Sequence, residues 1–264
     1  MFVVLGGCTA QLNTVLAWSP PAAVPGASDP TLDTDNETVN STLTEMYFTI
    51  VDTSISGHPK QLYVMTRANA TASWGAPTAL DVVNTPVQTE TPRLSPDDLT
   101  LYFGRNGDIY TTTRSAVGAA WSTPQALASV NTSAYEKWMA VCDGGYFMVS
   151  RDNGAVQGQD LFEGQLGEVG TAVTELNSRQ NEISTFLSKD CLTAYFASDR
   201  SGSTQMYTAT RPAIGMSWTS PTEVTDFGMA GTNKDAWLSI DTRTFFFASI
   251  RDGDTLRAVY TSTR

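Results

Sequence analysis

Residues 90–127 read ETPRLSPDDLTLYFGRNGDIYTTTRSAVGAAWSTPQAL. An apolar stretch closes on Asp97, strand-like runs follow at 99–103 and 109–113, and the unit ends in Trp121-x-x-Pro124-x-x-Leu127. Apolar and polar residues alternate within the runs, and Thr, Tyr, Phe and Leu dominate them. Pro-Asp and Asn-Gly separate them, as tight turns separate short β-strands. No segment of the chain shows a capped 3.6-residue apolar period, so the chain reads as all-β.

The same four pieces recur on both sides of this stretch. The first, an apolar run ending near an Asp, reads PTLDTD at 30–35, PRLSPD at 92–97, WMAVCD at 138–143, TFLSKD at 185–190 and AWLSID at 236–241. The second is an apolar pair: Tyr47-Phe48, Tyr102-Phe103, Met148-Val149, Tyr195-Phe196 and Phe246-Phe247. The third carries the aromatics Tyr63, Tyr110, Phe162, Tyr207 and Tyr260, spaced by 47, 52, 45 and 53 residues. The fourth is Trp-x-x-Pro-x-x-apolar at 74–80, 121–127 and 218–224. Four strands at this period are the signature of propeller blades. The last repeat stops at Arg264 after its third strand, while WSPPAAV at 18–24 supplies a fourth-strand motif without its three predecessors. A ring closes if 18–24 completes the final sheet. The expectation is a single five-bladed β-propeller over 18–264, with blades at 29–80, 90–127, 136–176, 182–224 and 235–264 plus 18–24. Blade 1 is read with inserts at 36–44 and 51–59. In blade 3, Leu166, Gly167 and Gly170 stand where Arg, Trp and Pro stand elsewhere, which predicts a shortened or bulged outer strand.

LSPDDLTLYFGR followed by DIYTTTR and WSTPQAL resembles the WD40-like (TolB-type, PD40) β-propeller repeat of bacterial exported proteins. The resemblance covers nearly the whole chain after residue 17. It implies a propeller used mostly for protein or ligand contact. Some related five-bladed propellers are glycoside hydrolases that draw carboxylates from separate blades, and Asp29-Pro30 resembles their opening Asp.

Composition narrows the partners. The net charge is -11 with 16 Lys and Arg in 264 residues, which leaves no basic footprint for nucleic acid. An acidic surface has no pull toward anionic lipid. No apolar run is long enough to cross a membrane as a helix. Leu5-Gly6-Gly7-Cys8 resembles a bacterial lipobox, so residues 1–17 read as a signal remnant and tether, with lipidation expected on Cys8. That places the protein outside the cytosol, in the periplasm or at the cell surface, and joins it to a membrane only through lipid. A monomer is expected. Cys142 and Cys191 then form an even pair; a disulfide and two buried thiols both remain open.

Recurrence usually answers a packing need. Trp74, Trp121 and Trp218 follow Arg67, Arg114 and Arg211 by seven residues, which predicts an Arg stem lying over each indole. Pro77, Pro124 and Pro221 mark edge strands. Asp97, Asp143, Asp190 and Asp241 read as turn caps, and Asp252-Gly253 as a hairpin turn. Asp29, Glu90, Glu136, Glu182 and Asp235 precede the first strand of each blade. In a propeller that strand lines the channel, so the five acids are expected to ring one mouth, with Asn84, Asn131, Asn177 and Asn233 nearby. Such a ring would bind a protein partner or a small polar or cationic ligand. Calcium is the cation considered; DTDNE at 33–37 lacks the closing Glu of a calcium loop, and no cofactor is otherwise indicated. No G-x-S-x-G, HExxH or phosphate loop is present, and the single His is His58. The expectation is a non-catalytic binding or scaffold propeller. The alternative is a glycoside hydrolase-like enzyme using Asp29, Glu136 and Glu182.

Overall fold

The computed structural model describes residues 16–51, 57–152, 154, 158–228, 231–251 and 253–264. Cys8 and Asp252, for which lipidation and a turn were expected, lie outside them.

Five four-stranded antiparallel sheets make the ring. Blade 1 comprises Thr34–Val39, Glu45–Val51, Lys60–Thr66 and Thr78–Ala79, from axis to rim. Blade 2 comprises Thr89–Leu94, Thr100–Arg105, Asp108–Thr113 and Gln125–Ala126. Blade 3 comprises Glu136–Val141, Tyr146–Asp152, Gln159–Gln165 and Thr171–Ala172. Blade 4 comprises Glu182–Leu187, Thr193–Ser198, Gln205–Thr210 and Thr222–Glu223. Blade 5 takes Thr232–Leu238, Thr244–Ile250 and Ala258–Thr263 from the end of the chain and Ala22–Ala23 from its beginning.

That last pairing closes the ring. Ala22 faces Thr261 and Ala23 faces Tyr260. Val24 N–H donates to Val259 O at 2.9 Å, and Ser19 N–H to Thr263 O at 2.8 Å. Trp18 lies 5.7 Å from both Phe227 and Phe245, and the Arg264 guanidinium stacks on its indole at 4.4 Å. The same stack recurs at Arg67–Trp74 (4.1 Å), Arg114–Trp121 (4.5 Å) and Arg211–Trp218 (4.3 Å). Trp18 is therefore the fourth member of the series, its Arg supplied by the other end of the chain.

The recurring aromatics set the register. Phe48 opposes Tyr63, Phe103 opposes Tyr110, Val149 opposes Phe162, Phe196 opposes Tyr207 and Phe247 opposes Tyr260. Five apolar wedges between neighbouring blades form the core. Phe48 and Met46 of blade 1 meet Phe246 and Val259 of blade 5, for example, and Met148 and Leu161 of blade 3 meet Leu187 and Phe196 of blade 4. Second strands are buried on both faces by flanking sheets, which explains why apolar alternation in the sequence is muted there.

Cys142 and Cys191 are bonded, Cα to Cα 5.4 Å, tying blade 3 to blade 4 at the back face, where inner strands end. Two details differ from expectation. The inner strand of blade 1 starts at Thr34, so 36–44 is no insert; it is most of that strand and its turn. Asp29-Pro30-Thr31-Leu32 mimicked the recurring Pro-x-Leu pattern one strand too early. The outer strand of blade 3 has the same two residues as the others. It keeps its place because Gly170, at φ +82°, lets the chain pass where a Cβ would sit 3.0 Å from Phe147.

Two stability outcomes follow. Trp18→Ala should cost about 2–4 kcal/mol in urea denaturation, through lost aromatic packing at the seam. Cys142→Ser with Cys191→Ser should cost roughly 2–4 kcal/mol, since the bond closes a loop of 49 residues.

Candidate functional site at the channel mouth

Every inner strand carries one residue in the left-handed region at the same step: Asn36 (φ 59°), Thr91 (57°), Trp138 (50°), Ser184 (59°) and Asp235 (61°). Each sits where the pairing with the second strand slips. These are β-bulges, and they break the strict alternation of side chains at the axis. None is glycine, and for Thr and Trp this conformation is strained. Five repeated outliers around one axis mark the channel as the place where regular sheet geometry is given up.

The bulges gather an ionic lattice at the front face, where inner strands begin. Asp35 Oδ2 accepts from Lys60 Nζ at 2.8 Å and Lys234 Nζ at 2.9 Å, and lies 2.7 Å from Arg257 Nη1. Lys234 Nζ also reaches Asp235 Oδ2 at 3.1 Å. Lys60 lies 3.6 Å from Glu90, which Lys137 holds at 2.6 Å, and Arg257 pairs with Asp33. Asn36 links the parts: its Nδ2 donates to Asp35 Oδ1 at 2.5 Å, its N–H donates to Asp235 Oδ2 at 3.1 Å, and its Oδ1 accepts from Trp138 Nε1 at 2.6 Å.

Two carboxyls flanking Asn36 are driven apart. Burial alone would raise Asp35, but the Lys234, Lys60 and Arg257 charges outweigh it and hold the group far below the usual carboxylate range. Glu37 is pushed well up, by burial first and then by the charge on Asp235, against the weaker opposing pull of Arg93. Neither oxygen of Glu37 has a hydrogen-bond partner among the described residues; the same holds for Asp235 Oδ1, Arg93 Nη2 and Ser184 Oγ. Burying such groups unpartnered is costly and asks for an explanation in function or bound solvent. The arrangement sets a carboxyl raised by burial two positions from a carboxylate held low by three cations, the kind of divergence that acid–base chemistry uses.

The five acids singled out in the sequence do not form one ring. Glu90 and Asp235 belong to the lattice. Asp29 is an exposed turn cap whose Oδ1 accepts from Thr31 N–H at 2.8 Å and Thr31 Oγ1 at 2.6 Å. Glu136 and Glu182 are buried within their own blades on Arg151 (2.7 Å) and Arg200 (2.9 Å). The acids of blade 1 at the axis are Asp35 and Glu37, missed because the strand was read too early. The place offered to a bound cation is taken by the protein's own Lys60, Lys137, Lys234 and Arg257. Among the described residues no group of three or more His, Cys, Asp or Glu is placed to hold a metal ion. Asn84, Asn131 and Asn177 are staples: each side chain bonds both backbone groups of one third-strand residue, Leu62, Ile109 and Leu161 respectively. Asn233 instead holds Gln205 and Ser249 at the start of blade 5. Asp97, Asp190 and Asp241 cap turns on the back face, accepting from Ser95, Ser188 and Ser239.

No family model matches the sequence, and no curated protein does. Solved structures do match. A GH62 hydrolase in complex with xylotriose superposes with a TM-score of 0.64 at 12% identity, over 94% of this chain and 96% of that one. The catalytic domain of a GH62 α-L-arabinofuranosidase from Coprinopsis cinerea gives 0.61 at 12%, over 94% and 96%. A putative TolB from Agrobacterium tumefaciens gives 0.54 at 15%, over 86% and 76%. The five-bladed fold is thus shared with both hydrolases and TolB-type propellers, and is not specifically TolB-like. The expectation of a protein without catalysis does not stand. Propellers coinciding with this one over more than nine-tenths of both chains are glycoside hydrolases, so the architecture no longer speaks against an enzyme.

The protonation of Glu37 has a measurable consequence. With its folded value raised, the native state holds a proton that the unfolded chain releases. Stability attributable to this group therefore falls as pH rises from the ordinary carboxyl range toward the raised value. Glu37→Gln should remove that slope. Urea denaturation from pH 4 to 8 should show the variant gaining on the native protein as pH rises; a variant that loses ground with rising pH would mean an ionised, paired Glu37.

Proposed function

We propose that this chain is a glycoside hydrolase-type propeller acting at the front mouth of its channel. The observation that carries the reading is the buried Glu37, neither of whose carboxyl oxygens has a partner among the described residues, on the inner strand next to that of Asp235, which Asn36 N–H holds at 3.1 Å. Glu37 is the proton donor to the departing glycosidic oxygen. Asp235, with Oδ1 uncommitted, is the carboxylate that meets the developing positive charge at the anomeric carbon, directly or through water. Asp35, held by three cations, is too weak a base for that task and anchors the lattice instead. Lys60 and Lys137, with side chains 18% and 14% exposed, pair with Asp35 and Glu90 at the mouth, and a bound sugar would displace these two ammonium groups. The glycoside hydrolase folds that match the ring support the reading, as does the strain concentrated at the axis.

The Cys142–Cys191 bond supports export to an oxidising compartment. Lipid on Cys8 would tether the exported ring to a membrane surface.

The test is a panel of aryl glycosides of pentoses and hexoses with both anomeric configurations. The native protein is expected to cleave at least one. Glu37→Gln and Asp235→Asn should each lower kcat by roughly 10²–10⁴-fold with the melting transition retained. A panel left untouched by pure protein, or cleavage indifferent to both substitutions, defeats the assignment and leaves the lattice as a structural plug of the ring.

A further inference from the structure

Beside the lattice, between blades 3 and 4, lies a pocket of about 260 Å³ lined by Trp138, Gln159, Asn181, Ile183, Asp199 and Thr204. All the polar members stand at the front face: Gln159 opens the third strand of blade 3, Asn181 precedes the inner strand of blade 4, and Asp199 and Thr204 flank the turn between its second and third strands. Trp138 and Ile183 give it an apolar wall, and the remaining four give it a polar rim.

The rim is built rather than incidental. Asn181 N–H donates to Asp199 Oδ1 at 2.8 Å and its Nδ2 donates to Asp199 Oδ2 at 3.1 Å, which fixes the carboxylate plane. Asn181 Oδ1 accepts from Gln159 N–H at 3.2 Å, clasping the two blades. Gly158, at φ +91°, makes room for this clasp; a Cβ there would fall 1.8 Å from Asn181 Oδ1. Gln159 Oε1 accepts from Ser150 Oγ at 2.8 Å, so the amide NH₂ is the donor that Gln159 can offer to the pocket, and Thr204 lines the same rim with its hydroxyl. Each oxygen of Asp199 keeps a lone pair beyond its bond to Asn181.

We infer that this pocket binds one ring of an uncharged sugar. An aromatic wall packs against the C–H face of the ring. A fixed carboxylate accepts from two neighbouring hydroxyls, an amide NH₂ donates to a third oxygen, and Thr204 closes the set. The carboxylate disfavours uronic acids. Trp138 connects the pocket to the acids: its indole N–H holds Asn36, the residue between Asp35 and Glu37. A ring seated here places the adjoining residue of a glycan over the lattice. The inference rests on the glycan reading above, and it is tested by binding rather than turnover.

The experiment is saturation-transfer NMR and calorimetric titration of xylotriose, cellotriose and trigalacturonic acid into the Glu37→Gln protein. The expected result is saturable binding of a neutral trisaccharide, weakened at least tenfold by Gln159→Ala and by Thr204→Phe, with trigalacturonic acid unbound. The second variant fills the pocket from its exposed rim and leaves the Asn181–Asp199 clasp intact, so it reports even if the first perturbs folding. Neutral sugar bound with unchanged affinity by both folded variants overturns the pocket and leaves hydrolysis at Glu37 standing. Absence of neutral-sugar binding, or preferential binding of the uronate, overturns it as well. Binding lost in both variants, in a protein that hydrolyses nothing, keeps the pocket and removes the enzyme.

Discussion

A strip of β-sheets wound about an axis keeps apolar faces in water unless its first and last sheets meet. Here the meeting is covalent continuity replaced by a two-residue strand, Ala22–Ala23, laid on Tyr260 and Thr261. Trp18 locks the strand in place from the end of blade 5, wedged against Phe227 and Phe245 beneath Arg264. Each of the other interfaces relies on neighbours already adjacent in sequence. The seam alone must bring residues more than two hundred positions apart into register before the blade 5–blade 1 wedge can exclude water, and loop closure over that length carries an entropic cost. The whole channel, which no single blade can define, depends on it.

Within the ring, two demands conflict and are settled in different strands. Second and third strands answer to packing, and their aromatic pairs repeat from blade to blade. Inner strands answer to the axis. Five residues arriving from five directions must place side chains in a narrow space, and a regular strand would present alternate residues rigidly. A left-handed residue in each strand breaks the alternation. The resulting congestion of Asp35, Glu90 and Asp235 is tolerable because Lys60, Lys137, Lys234 and Arg257 interleave with them. Buried ion pairs of this kind add little net stability, since desolvation offsets the attraction. Their persistence here fixes geometry, with Asn36 as the node that Asp35, Asp235 and the Trp138 indole share.

The blade count and the seam were legible in the sequence because they rest on large, repeated side chains: Tyr and Phe in fixed register, and Trp followed by Pro at the rim. The Arg–Trp stacks were legible for the same reason. The blade 1 register was not. Glu37-Thr38-Val39 occupies the place of Pro92-Arg93-Leu94 without resembling it, whereas Pro30-Thr31-Leu32 resembles it in the wrong place. That slip hid Asp35 and Glu37 and promoted Asp29, a turn cap. The bulges left no trace either, because positive φ fell on Thr, Trp and Ser, types with no preference for it. Glu136 and Glu182 were legible as recurring acids, but not their Arg151 and Arg200 partners, which come from the far end of the next strand.

The bulge position holds Asn, Thr, Trp, Ser and Asp in the five blades, five chemistries on one backbone shape. Because the repeated aromatic pairs lie on second and third strands, a change at this site alters the axial lining and leaves those pairs in register. The ring thus separates the alphabet of its interior from the grammar of its assembly, and a lineage can rewrite the first while conserving the second.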